Sequence, residues 1–212
     1  MEKDTQRGSA VVKVMRSDSV ASLGKELLEV GVDSVLESGV LKDIPLVNSL
    51  FGIFDAAGSF RDQLLVNKLV RFISQLSDIS QEERTAMVEK LNEKDKFSGR
   101  AGAAIIEIID RMESERKPEY AAKFFAAYAR SEISFEELRR ILVALERIPS
   151  FDIEKLKNFS NGNIKESLRM DESLLLAFVN ASLGKNNGGL DGGVIVPTNL
   201  CKTFVSVGLK DS

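Results

Sequence analysis

Apolar residues recur at spacings of three and four along most of this chain, and strand-like alternation is almost absent between residues 17 and 182. "SDSVASLGKELLEVGVDSVLES" opens with Ser17 and Asp18 as candidate N-caps and carries Val20, Leu23, Leu27, Val30, Val35 and Leu36 at helical spacing. "SQEERTAMVEKL" places Ser80 and Glu83 at capping-box spacing. "SFEELRRILVALERI" repeats the device with Ser134 and Glu137, then aligns Leu138, Ile141, Leu142 and Leu145 on one stripe. Between them lie "FSGRAGAAIIEIIDRM" and "PEYAAKFFAAYAR", the latter with Pro118 suited to a first helical turn.

The most apolar run is "GVLKDIPLVNSLFGIFDAAGSF", residues 39–60. Leu46, Leu50, Ile53, Ala57, Phe60 and Leu64 follow a three-four pattern, which predicts one amphipathic helix or two joined near Gly58. Pro45 suits the first turn, and Gly39 the close of a preceding helix. Val47, Phe51 and Phe54 widen the apolar face beyond a single core stripe. Three readings follow: a central buried helix, a partner or self-association surface, or a segment that inserts into a membrane on triggering. The last would need Lys42, Asp43 and Asp55 neutralised. Ile44, Val47, Phe51, Phe54 and Phe60 form the candidate interaction surface.

The last thirty residues change texture. "LGKNNGGLDGG" is too rich in Gly and Asn for a helix or strand interior, and "VIVP" after it reads as a short strand. Its partner would come from Leu183 and its neighbours. Thr198 caps a final helix with Leu200, Phe204 and Val207 on one face. The glycines are not a phosphate-binding P-loop, because Lys185 precedes them and a strand, not a helix, follows. The expected fold is therefore mainly α, an irregular multi-helix bundle with a small C-terminal winged-helix-like tail of strand and helix. The expected domains are a flexible segment over 1–16, a bundle over 17–149, and a winged-helix-like subdomain over 150–212 packed on it.

Composition then narrows the chemistry. The 29 Lys and Arg nearly offset the 32 Asp and Glu, giving a net charge of -3, without the field that draws proteins to nucleic acid or anionic lipid. Histidine is absent, which removes the commonest general base and metal ligand. The one cysteine, Cys201, reads as a buried small hydrophobe. Acidic residues in "QEER", "FEEL" and "MDES" fall where helix starts account for them, and "EIIDRMESERK" reads as a solvated helix end. A winged-helix reading helix would fall near "DESLLLAFVNASL", which holds no Lys or Arg, so nucleic-acid binding is disfavoured. No apolar stretch reaches the roughly 20 residues of a spanning helix, and the N-terminus has no h-region. A soluble, cytoplasmic, non-enzymatic protein without cofactor or metal is expected.

The runs "LESGVLKDIPLVNSLFG", "NKLVRFISQLSDISQEER", "AAKFFAAYARSEISFEELRRI" and "VIVPTNLCKTFVSVGL" together resemble bacterial helical proteins of the abortive-infection alpha type, over most of residues 25–209. The chain departs from that pattern at "CKT", where a Gly is usual before the last helix. The resemblance implies a bacterial or phage origin and a role in phage–host conflict, and it carries no catalytic residues. The expected function is a protein-interaction or self-association module. The alternatives are a triggered membrane effector using residues 40–60 and a winged-helix nucleic-acid-binding regulator.

Overall fold

Local capping chemistry and a few long-range ties between backbones set the architecture. The computed structural model describes residues 2–30, 44–54, 59–94, 100–162, 164–188 and 192–210. The fold is mainly α, with one small two-stranded sheet, and divides into two compact units, Met1–Glu132 and Ile133–Ser212. The N-terminal unit holds α1 (Glu2–Met15), α2 (Ser19–Val30), α3 (Pro45–Phe54), α4 (Phe60–Gln75), a 3-10 turn (Leu76–Asp78), α5 (Gln81–Asn92), α6 (Ala101–Asp110) and α7 (Lys117–Ala129). The C-terminal unit holds α8 (Phe135–Arg147), a 3-10 segment (Ser150–Lys155), α9 (Leu156–Asn161), α10 (Ile164–Ser167) and α11 (Glu172–Asn180). Strands β1 (Gly184–Asn186) and β2 (Ile195–Pro197) and helix α12 (Asn199–Gly208) complete it.

The helix starts lie where the capping residues put them. Ser80 Oγ accepts the Glu83 N–H at 3.2 Å while the Glu83 carboxylate accepts the Ser80 N–H at 2.8 Å. Ser134 and Glu137 make the same reciprocal pair at the start of α8, and those bonds hold the Glu137 carboxyl below its ordinary pKa. Thr198 caps α12 by accepting the Cys201 N–H, and its hydroxyl also donates to the carbonyls of Ser182 and Leu183. Ser59 caps α4, so the run after Pro45 forms two helices, with residues 55–58 between them. Gly39, Val35, Leu36, Asp55, Ala57 and Gly58 lie outside the described residues.

In the N-terminal unit α1 seats on α6 at a backbone-to-backbone crossing. A Cβ on Gly102 would stand 2.0 Å from the Gly8 carbonyl oxygen, and one on Gly8 would stand 2.7 Å from the Ala103 nitrogen. Only glycine permits that approach. Residues 2–15 are thus a helix with Val11 and Met15 fully buried, not a flexible segment, because α6 supplies the seat. Helix α4 packs on α7, where Phe72 and Phe125 meet edge to face with centroids 5.5 Å apart.

Cations tie the helix C-termini of this unit. Arg84, 2% exposed, donates from Nε to the Met15 carbonyl at 2.7 Å and from Nη2 to the Ser17 carbonyl at 3.0 Å. Its Nη1 donates to the carbonyls of Ile79 at 2.6 Å and Leu76 at 3.4 Å. Those carbonyls close α1 and the turn after α4, where helix ends leave acceptors without intrahelical partners. Burial lowers the Arg84 pKa, opposed by the nearby Asp18, Glu82 and Glu83 carboxylates. Lys68 of α4 likewise donates to the Asp110 and Met112 carbonyls at the end of α6.

The C-terminal unit begins earlier than the chain's texture suggests. The division falls at Glu132–Ile133 rather than at Pro149–Ser150, because α8 packs on α12 and so groups with the tail. Just before the division Ser131 takes a φ of 60°, turning the chain out of α7. The α8 stripe, Leu138, Ile141, Leu142 and Leu145, is buried as its spacing predicts. Phe159 of α9 stacks on Phe178 of α11 at 4.8 Å. The strand after the Gly-rich loop pairs antiparallel with the residues before it, Gly184 opposite Pro197 and Asn186 opposite Ile195. Asn186 and Asn187 brace the loop: Asn186 Nδ2 donates to the Gly192 carbonyl, and Asn187 Oδ1 accepts the Val194 N–H. The buried face of α12 is Cys201, Phe204 and Gly208, while Leu200 and Val207 are half-buried.

Candidate functional site

The expected interaction surface divides sharply once its residues are placed. Val47 and Phe54 are fully buried, with Leu46 and Leu50, on the face that α3 turns toward α1 and α4. Arg7 of α1 covers the Phe54 ring at 5.0 Å and donates to the Phe54 carbonyl at 3.3 Å. The seat of α1 therefore covers much of the surplus apolar width of α3, and Val47 and Phe54 are core residues rather than surface. Ile44 and Phe51 are half-buried. Phe60 alone of the five is open, 76% exposed at the start of α4. The five do not form one continuous exposed face.

Among the described residues, most of the exposed large apolar side chains lie in the C-terminal unit. Leu168 is 65% exposed, Leu176 53% and Ile164 51%, and Phe151 is also open. Helix α11 reads "ESLLLAFVN", and of its apolar residues only Phe178 is buried; Leu174, Leu175, Ala177 and Val179 are partly covered. Helix α10 packs on β2 and α11 on β1, so one braced hairpin carries both. In the sequence α11 stands out by its lack of Lys and Arg. The missed signal is that its apolar residues run all round the helix, more than one buried stripe can use. Ile164 and Leu168 stand four apart, a helical ridge in a segment too short to show a period.

Several of the described charged groups are occupied structurally. Glu83 and Glu137 sit in capping boxes, and Asp171 caps α11 by accepting the Leu174 N–H at 3.1 Å. The Ser173 hydroxyl and that N–H hold the Asp171 carboxyl below its ordinary range. The stretch around Asp110–Lys117 is not simply a solvated end. Lys117 is 1% exposed and bridges Glu113 at 2.6 Å, its aliphatic stem buried, while Arg61 bridges Asp110 at 2.9 Å. Arg71, also buried, bridges Glu119 at 2.7 Å. Among the described residues no three His, Cys, Asp or Glu side chains are grouped to hold a metal ion. A depression of about 190 Å³ between α1 and the start of α6, lined by Ser9, Asn92 and Arg100 among others, is below the ~300 Å³ at which small-molecule pockets begin. Its Asn92 already accepts the Ala101 N–H at 3.0 Å.

Cys201 is fully buried, and burial pushes its thiol up to about 12. Iodoacetamide at pH 8 is expected to leave Cys201 unmodified in the folded protein and to label it completely in denaturant, read by intact mass. Labelling of the folded protein at the denatured rate would overturn the burial. The neutral thiol is favoured by folding. Its contribution is therefore whole below the unfolded thiol's pKa near 9 and is lost as pH rises toward 12.

Among the described residues no helix is long and apolar enough to cross a membrane. Inserting residues 40–60 would require Val47, Leu50 and Phe54 to leave the core. Against this geometry, no protein-family model, no curated protein and no solved structure matches the chain.

Proposed function

We propose that this protein is a non-enzymatic protein-interaction module whose docking surface lies on the C-terminal unit, around Ile164, Leu168 and Leu176. The observation that carries the reading is α11, an apolar helix that buries one side chain, Phe178, and leaves the rest wholly or partly open. An apolar face carried on a hairpin and left uncovered has the character of a partner site. In a winged-helix reading of this unit, α11 takes the place of the reading helix and the Asn-braced hairpin that of the wing. With no Lys or Arg on α11, such an element favours protein over phosphate. The family resemblance supplies a setting for that docking, phage–host conflict.

A photo-crosslinking residue at position 176 tests the proposal in living cells, with position 13, exposed on α1, as control. Discrete adducts from 176, absent from 13 and abolished by Leu168→Asp, are expected. No adduct from 176 beyond those from 13 would overturn the docking surface.

A further inference from the structure

Resting on that docking reading, we infer that the occupant of the α10–α11 face is a second copy of this chain, related by a two-fold axis. Ile164 opens α10, and Leu168, whose N–H donates to the Ile164 carbonyl at 3.1 Å, follows its last residue and precedes Arg169, all three exposed. The exposed row of α11 carries Glu172 in its first turn and Leu176 one turn on. The α10 side thus pairs an apolar ridge with exposed cations, Lys165 and Arg169, and the α11 side pairs one with exposed carboxylates, Asp171 and Glu172. Arg169 and Glu172 stand three residues apart, yet they do not bridge each other. Within one copy the complementary rows are both held on the hairpin, α10 on β2 and α11 on β1, and both open outward to solvent.

A two-fold axis brings row α11 of one copy against row α10 of the other, twice over. Leu176 then meets Leu168 of the second copy, and Glu172 meets its Arg169, so that one surface patch satisfies itself. The C-terminal unit suits such pairing because its acidic and basic residues balance, so this unit carries no net charge of its own. The charge pairs fix register and orientation, and the leucines supply the apolar area.

Charge reversal tests this on the full chain, with circular dichroism confirming that each variant folds. Sedimentation equilibrium of the unmodified protein is expected to show a dimer that Leu176→Asp dissolves. Arg169→Glu sets a carboxylate against Glu172 of the second copy, and Glu172→Arg sets a guanidinium against its Arg169. Each variant alone is expected to dimerise at least about tenfold more weakly. In an equimolar mixture the heterodimer restores opposite charges at each of its contacts, and the mixture is expected to recover the dimer. A monomer at the highest soluble concentration, a dimer indifferent to Leu176→Asp, or a mixture no tighter than its components would each overturn the second copy as occupant. Crosslinks from position 176 to a different protein, with a monomeric chain, would overturn this inference and leave the docking surface standing.

Discussion

Arg84→Met loses about 4 kcal/mol of stability in urea unfolding, because it strands carbonyls that the protein has taken out of water. Methionine fills most of the volume, so the loss is one of hydrogen bonding rather than of a cavity. The carbonyls of Met15 and Ile79 each lose a bond of 2.7 Å or shorter, while that of Ser17 loses one of 3.0 Å and keeps the Val20 N–H. A buried acceptor left without a donor costs about 1–3 kcal/mol. The favourable charge at the ends of α1 and the turn after α4 goes with them. Against a typical stability of about 5–15 kcal/mol, that loss is severe. Arg84→Lys is expected to recover less than half, since one ammonium cannot span acceptors that a planar fork reaches from three nitrogens. A loss under about 1 kcal/mol for the methionine variant would mean that water reaches those carbonyls.

Gly102→Ala is the second large effect, and its sign runs against helix propensity. Alanine in a helix interior is favoured over glycine by up to about 1 kcal/mol. At Gly102 the added methyl would stand 2.0 Å from the Gly8 carbonyl oxygen, a backbone atom that moves only if α1 moves. Overpacking of this kind costs about 3 kcal/mol, more than the propensity gain. The lifted helix would also expose the Phe54 ring that Arg7 covers. Gly52 of α3 supplies the matched control: nothing lies within 4 Å of its missing Cβ, so Gly52→Ala is expected to stabilise by up to about 1 kcal/mol. Thermal unfolding of the two variants side by side reads the contrast. Equal shifts in the same direction would refute the close crossing of α1 and α6.

The parts of this fold that could be read from the sequence are those whose cause is local. Ser80 with Glu83, Ser134 with Glu137, Asp171 and Thr198 all act within three residues, and each caps the helix its spacing predicts. The α8 stripe is legible for the same reason, since one helix face decides it. What was hidden depends on distant partners. Helix α1 has its apolar residues bunched in "VVKVM" after a charged start, and its seat is a glycine on α6. Whether Val47 and Phe54 are surface or core depends on α1 being there, so the apolar run could not settle it alone. Lys117 resembles a solvated lysine until its stem is buried and Glu113 closes on its ammonium. On α11 an apolar residue stands at nearly every position, so periodicity gives no inside or outside, and the exposed Leu176 could not be told from the buried Phe178.

The Gly8–Gly102 crossing also sets an order of events during synthesis. During synthesis Gly8 waits for the glycine that seats it until α6 has been made. At about 5–20 residues per second, residue 102 follows residue 8 by roughly 5–20 s. Through that interval α1 lacks its seat on α6, and only earlier-made elements such as α3, with Phe54 under Arg7, can cover it. In that interval the side of α1 that α6 later takes stands open to a chaperone.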